Sequence, residues 1–281
     1  IILISVLVLF IACDSEKMQL YSSPETPWPE TLGNHRAVLE VSNPTDAVKL
    51  NVVWRRHDKN PEEKKFIIIH ESGDTIKNIQ RIFIDNERCQ LVFGPVEKIG
   101  KYFFYYLPYV VQEDYGFYNK GYLKPEKEPE KNWSGKIETS KLPKAKLVEF
   151  QSRTAFNSFY PMEIIALQSE KDSLLNIHKS DFLVFPEDRK FPVRMLDEIP
   201  KKWIESGPSD EFNGEALQNE YYTFQLGIFA AQKDLEDVKV EFSPLKNGDV
   251  EIPVSNVTCF KTGGIGPYGE PFVKQVDVDK G

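Results

Sequence analysis

The stretch Val48-Lys49-Leu50-Asn51-Val52-Val53-Trp54-Arg55 decides the fold. Val48, Leu50, Val52 and Trp54 fall on one side of an extended chain, with Lys49, Asn51 and Arg55 on the other. That is the period-two signature of a strand with one face buried. The pattern repeats outward from it. Residues 66–69 are a short apolar run closed by the turn residues Ser72-Gly73-Asp74, and strand-like runs follow at 79–84, 89–93 and 101–111, separated by Asn86-Glu87 and Gly100. Short strands at this spacing, with no long amphipathic helix among them, predict an antiparallel β-sandwich over 33–122.

A second β region begins near Trp203. Tyr222, Phe224, Leu226, Ile228 and Ala230 alternate with Thr223, Gln225 and Gly227, and Val238, Val240 and Phe242 alternate with Lys239 and Glu241. With residues 257–260 these predict a sheet in a second β-sandwich-like domain over 203–281. Its central strand would run over 219–228, with Tyr222, Phe224 and Leu226 packed into the core. The terminal Val276-Asp277-Val278-Asp279-Lys280-Gly281 still carries a strand pattern, as in a domain whose last strands lie beyond it. Between the two domains, residues 123–145 hold the run Lys124-Pro125-Glu126-Lys127-Glu128-Pro129-Glu130-Lys131, which buries little apolar area and reads as a linker. Residues 146–202 read as a connecting segment. It carries one short helix over 169–179, capped by Ser169, with Leu174, Leu175 and Ile177 as its apolar side.

The apolar run over 1–12 stops at Cys13 and gives way to Asp14, Ser15, Glu16 and Lys17. Twelve residues, apolar but for Ser5, suit a signal-peptide core of roughly 7–15 and fall short of the about 20 that span a bilayer. Residues 1–13 therefore read as a lipoprotein leader ending at a lipidated Cys13, and 14–32 as a flexible tether. The expected location is the bacterial cell envelope, with the chain anchored to the outer membrane or cell surface through that lipid. No Met and no basic segment precede the run, as in a chain missing its start.

A net charge of -8 disfavours nucleic acid as a partner. Beyond Cys13 only Cys89 and Cys259 remain, too few for a disulfide scaffold or a zinc site, and His35, His57, His70 and His178 have no metal-ligand spacing. No cofactor or metal is expected. The adjacent acids Glu62-Glu63, Glu187-Asp188 and Asp210-Glu211, and the near pair Asp277 and Asp279, lie in charged or Pro/Gly-rich stretches and read as solvated turns. Neighbours on a strand also point to opposite faces, so an adjacent pair does not easily converge on one substrate. No nucleophile elbow, phosphate-binding loop or dinucleotide fingerprint is present. The candidate ligand contacts are aromatic, since sugar faces present C–H groups that stack on rings. Trp54 sits beside the polar cluster Arg55-Arg56-His57-Asp58. The run Tyr102-Phe103-Phe104-Tyr105-Tyr106-Leu107-Pro108-Tyr109 sends rings to both faces of its strand, which makes Tyr105 and Tyr109 the other candidates. Filling of the core and of a domain interface is the stronger reading of the same rings.

Several blocks taken in order resemble the N-terminal, non-catalytic region of glycoside hydrolase family 123 proteins: Gly33-Asn34-His35-Arg36, Trp54-Arg55-Arg56, Tyr105-Tyr106-Leu107-Pro108-Tyr109, Phe156-Asn157-Ser158-Phe159-Tyr160-Pro161-Met162-Glu163 and Phe185-Pro186-Glu187-Asp188-Arg189. The series continues through Pro192-Val193-Arg194-Met195, Trp203-Ile204, Gly207-Pro208-Ser209, Asn219-Glu220-Tyr221-Tyr222-Thr223-Phe224-Gln225-Leu226-Gly227 and Thr262-Gly263-Gly264-Ile265. The resemblance implies a β-sandwich region preceding a catalytic barrel that hydrolyses terminal β-linked N-acetylgalactosamine. The substrate acetamido group would act as nucleophile, and an Asp-Glu pair in the barrel would orient it and protonate the leaving oxygen. No position in this chain matches that pair, so no catalytic residue is carried over. The implied partners are the downstream barrel and a glycan substrate. The alternative reading is a free-standing glycan-binding surface lipoprotein.

Overall fold

The computed structural model describes residues 20–114, 117–195, 197–236, 238–262 and 275–280. They fall into two compact units. The first runs up to Trp54 and resumes over Asn60–Phe159; the second takes Arg55–Lys59 together with the described residues from Tyr160 onward. The fold is mainly β, as the alternation predicts.

The first unit holds β1 (Tyr21–Ser22), β2 (His35–Val41), β3 (Val48–Val53), β4 (Ile67–His70), β5 (Asn78–Ile84), β6 (Arg88–Gly94), β7 (Gly100–Tyr105), β8 (Tyr109–Asp114), β9 (Phe117–Tyr122) and β10 (Lys146–Ser152). One sheet has the order β1-β10-β2-β7-β4 and is antiparallel except for the short parallel pairing of β1 with β10. A second antiparallel sheet has the order β3-β6-β5, and β8 pairs with β9. Register puts Leu39 opposite Tyr102 and Ala37 opposite Phe104 in the first sheet, and Leu50 opposite Leu91 and Val52 opposite Cys89 in the second. All eight belong to one buried cluster with Trp54, Phe66, Ile68, Phe93, Tyr106 and Phe150, so the apolar rows of both sheets share a core. The row Val48, Leu50, Val52 and Trp54 is buried throughout.

The structure extends this unit well past residue 122. β10 is an interior strand of the first sheet, between β1 and β2, so 146–152 is integral to the unit. The Lys/Pro/Glu-rich stretch is a strap bonded to the sheets, despite its linker-like composition. The Glu126 carboxylate accepts from Arg81 at 2.6 Å and from the Phe66 amide at 2.9 Å. The Glu130 amide donates to Asn78, and the Trp133 indole in α1 (Lys131–Ser134) donates to the Asp46 carbonyl. Carboxylates and backbone groups hold it where apolar burial does not.

The second unit is built from α2 (Gln168–Ile177), β11 (Phe182–Asp188), α3 (Lys201–Ser206), β12 (Phe224–Ala230), β13 (Leu245–Asn247), β14 (Val250–Ile252), β15 (Thr258–Thr262) and β16 (Gln275–Lys280). Among the described residues its strands form three two-stranded antiparallel ribbons, β11-β12, β13-β14 and β15-β16. A single sheet built from 222–230, 238–242 and 257–260 is not what forms. β12 pairs instead with β11, from the stretch read as a connection, and 238–242 has no assigned strand. The core here gathers Met162, Ala166, Leu174, Leu183, Phe185, Ile199 and Trp203.

The facing of β12 is the reverse of the expected one. Phe224, Leu226 and Ile228 are about half exposed, while Gly227 is buried and Gln225 and Phe229 point inward with it. The cause is a close packing contact. A Cβ at Gly227 would lie 2.1 Å from the Trp203 ring, so that ring occupies the space of the missing side chain. Trp203 also stacks on Phe185, the register partner of Gly227, at 4.8 Å and 2°. With glycine pinned inward, the period of two sends Phe224 and Leu226 outward. The helix α2 also starts without a Ser169 cap. Glu170 reaches back instead, and its Oε2 accepts the Leu167 amide at 2.7 Å.

Candidate functional site

The three rings singled out for glycan contact are buried. Trp54 donates from its indole to the Asp85 carbonyl at 2.7 Å and packs with Phe66, Phe104 and Tyr106. Tyr105 accepts a hydrogen bond from Arg36 at 2.8 Å, and Tyr109 donates to the Glu30 carboxylate. Covering of the outer ring set is the work of Arg36. Its guanidinium lies 3.8 Å from the Phe103 ring centre and 4.3 Å from that of Trp28, and its Nε donates to Gln151. A cation stacked between rings satisfies both faces without solvent. No sugar face reaches Trp54, Tyr105 or Tyr109 in this arrangement. The lipidation candidate Cys13 lies outside the described residues.

In the second unit Arg55 is the polar anchor. It takes a left-handed conformation, φ 49°, that turns its side chain into the unit, where it bonds both oxygens of Glu170 at 2.7 and 2.8 Å and the Ile165 carbonyl at 3.2 Å. Sequence alternation had placed this residue on a solvated strand face. Burial by itself raises the Glu170 carboxyl. The bond from Arg55, the Leu167 amide and the charges of Arg55 and Lys201 outweigh it, and the net effect is a carboxyl held below the ordinary glutamate range. A depressed folded-state value stabilises the fold above the unfolded glutamate range and is lost as pH falls through the folded value. Glu170→Gln should therefore destabilise the second unit by about 3 kcal/mol at neutral pH. Denaturant unfolding at a series of pH values should show that gap closing in acid, and a gap independent of pH would contradict the pairing.

The acid pairs separate as strand geometry requires. Glu187 is buried, not solvated, and accepts from Lys202 at 2.6 Å and from the Trp203 indole at 3.2 Å. Asp188 points the other way and accepts the Tyr222 hydroxyl at 2.8 Å and the Lys190 amide at 2.9 Å. Those two bonds, the amide first, hold its carboxyl below the usual range, and the bond to Asp188 pushes the Tyr222 phenol up. Glu62 and Glu63 are exposed on a short 3-10 turn, and Asp210 and Glu211 are exposed as well.

A tight polar knot surrounds Asp188. Arg189 pairs with Glu220 and lies 4.8 Å from the centre of the Tyr222 ring. Glu220 also accepts the Leu217 amide at 2.8 Å, and that bond with the Arg189 bond keeps its carboxyl low. Asn219, at φ 65°, makes the turn that brings Glu220 and Tyr222 to this knot. Phe212 stacks on Phe224 at 4.5 Å and 9° alongside it. The alternation of the strand-like run 219–228 does not announce this turn. The one signal is Asn219 itself, a residue tolerant of left-handed geometry.

A shallow groove along α2 is lined by Ser169, Glu170, Ser173, Leu174, Ile177 and Ile204. Its one ionised group, Glu170, is already committed to Arg55. Among the described residues no cluster of three or more His, Cys, Asp or Glu could hold a metal ion, and no helix is long and apolar enough to cross a membrane.

Residues 26–153 match the family described as Glycoside hydrolase 123, N-terminal domain. Apart from Arg55–Lys59, the matched range falls in the first unit, and it includes both the strap and β10. No curated protein and no solved structure matches significantly.

Proposed function

We propose that this chain, which carries the N-terminal region of a glycoside hydrolase family 123 protein, is the non-catalytic β-rich support of a glycan-degrading hydrolase whose catalytic barrel follows it. The observation that carries this reading is the family match over 26–153, which is to an N-terminal domain. Two features support a supporting role. The aromatic residues of the first unit fill a shared core and an Arg36-centred stack. The described acid pairs are bonded to structural partners or exposed on turns. The parent's substrate is a terminal β-linked N-acetylgalactosamine, and the chain's task is to fold early, buttress the barrel and orient it. Reading the coding sequence past Gly281 and expressing the barrel with and without this chain tests the proposal. The barrel alone should lose soluble yield and thermal stability while its intrinsic chemistry, where it folds, stays the same. Equal yield and stability for both forms would overturn it.

Anchoring is part of the same reading. A lipid on Cys13 would hold the chain at the cell envelope, since each buried methylene contributes about 0.8 kcal/mol. Lipid-precursor labelling should disappear in Cys13→Ser, and equal labelling of both forms would exclude the anchor.

A further inference from the structure

The chain contains two Asn-Gly pairs, Asn213-Gly214 and Asn247-Gly248, and they sit in opposite surroundings. A glycine after asparagine matters chemically. With no Cβ on the following residue, its amide nitrogen can swing onto the asparagine side-chain carbonyl and close a five-membered ring, which makes such asparagines labile. The closure needs a backbone free to rotate and a glycine amide free of other bonds. Asn247 has neither freedom. It ends β13 opposite Val250, across the two-residue loop Gly248-Asp249, with Gly248 at φ 58°, so the hairpin ladder holds it. Asn213 and Gly214 are both exposed within 207–223, a stretch outside helix and strand. Among the described residues no hydrogen bond reaches the Asn213 side chain or the Gly214 amide. The flanks, in contrast, are in contact. Phe212 stacks on Phe224 at 4.5 Å, and a Cβ at Gly214 would lie 2.4 Å from the Tyr222 hydroxyl, which is itself bonded to Asp188 at 2.8 Å.

We propose that Asn213-Gly214 is a self-modification site, where the chain converts Asn213 to aspartate and isoaspartate without an enzyme. The Gly214 amide nitrogen attacks the Asn213 Cγ and forms a new N–C bond. The bond from Cγ to the side-chain nitrogen breaks, and ammonia leaves with the proton that the Gly214 nitrogen gives up. Water then opens the cyclic imide. Attack at Cγ restores the ordinary backbone with an aspartate side chain. Attack at the Asn213 backbone carbonyl leaves the chain running through Cβ and Cγ, one atom longer, with the α-carboxylate free. Intramolecular closure is favoured because both reacting groups belong to adjacent residues. Either product adds a negative charge, and the longer one also pushes Phe212 and Gly214 apart. With Phe212 on Phe224 and Gly214 against Tyr222, the extra atom displaces one of these contacts and loosens the knot around Asp188. The site thus couples the packing of this loop to the age of the molecule. It depends on neither the family assignment nor the proposed function.

The test ages the freshly purified full chain at physiological temperature in mildly alkaline buffer and samples it over several weeks. Peptide mapping by mass spectrometry reads the amide-to-acid mass gain at each Asn-Gly pair, and electron-transfer fragmentation separates isoaspartate from aspartate. Asn213 should convert at least about tenfold faster than Asn247, because the hairpin has to open before Gly248 can attack. In denaturant, where neither pair is held, the two rates should converge. Aged wild type should melt at a lower temperature than fresh protein. Asn213→Gln, which would need a less favourable six-membered ring, should keep its transition through the same ageing. Asn213→Asp adds the charge without the extra atom and should melt close to fresh wild type. No conversion at Asn213, or conversion no faster than at Asn247 in the folded chain, overturns the site. Conversion to isoaspartate with an unchanged melting transition overturns its coupling to the Asp188 knot.

Discussion

Trp54→Ala should cost the first unit about 3–5 kcal/mol, the range for deleting a large aromatic side chain from a packed core. The ring is nearly inaccessible, contacts three other aromatic residues, and satisfies its indole on the Asp85 carbonyl. Removal leaves a cavity between the two sheets and an unpaired carbonyl, and both act in the same direction. A contact ring for glycan behaves differently: its removal leaves the melting transition in place and abolishes binding. Chemical denaturation separates the two outcomes, and a loss below about 1 kcal/mol would contradict the core placement.

Gly227→Ala should be nearly as damaging, about 3 kcal/mol, at the upper end of overpacking costs. A methyl group at that position would overlap the Trp203 ring, which has no room to withdraw. Its other face lies against Phe185, and its indole is bonded to the buried Glu187. The substitution should cost little in a Trp203→Ala background, so a double-mutant cycle should give a coupling of the same order as the single effect. Additive effects would mean that Trp203 does not occupy the Gly227 site. As a contrast on the same strand, Phe224→Ala should change stability by less than about 1 kcal/mol, because nearly half of that side chain is exposed.

These two residues also explain how much was legible in sequence. Half-buried antiparallel strands write themselves as alternation, so the Val48-to-Trp54 row could be read directly and is buried as expected. In β12 both rows contain apolar residues, and what selects the inward row is a tertiary contact between Gly227 and a ring 24 positions earlier, Trp203. Periodicity carries no trace of such a contact. The strap and β10 were hidden for a related reason. Glu126 and Glu130 look like solvated linker residues until Arg81 and Asn78 are brought beside them by the β5 strand.

The candidate site shows the same division. An exposed ring and a buried ring are the same letter, and only the covering residues differ. Arg36 covers the Tyr105 face from 69 positions away, which no local pattern reports. Asp188 and Arg189, which hold Tyr222 and Glu220, come from the end of β11 and the residue after it, across an intervening helix and loop. Arg55 is the clearest case. Its left-handed backbone breaks the strand alternation and delivers a guanidinium to Glu170 more than 100 positions on. Arg55 and Gly227, two anchoring positions, sit where the local rule is broken.

In the function proposed above, this polypeptide supports glycan chemistry and does not perform it. The most direct measurement incubates the purified 281-residue chain with a chromogenic β-N-acetylgalactosaminide and follows chromophore release against buffer. The account predicts release no faster than in buffer, both for wild type and for variants at Glu187 and Asp188. Turnover above buffer that disappears on substituting either carboxylate would contradict it.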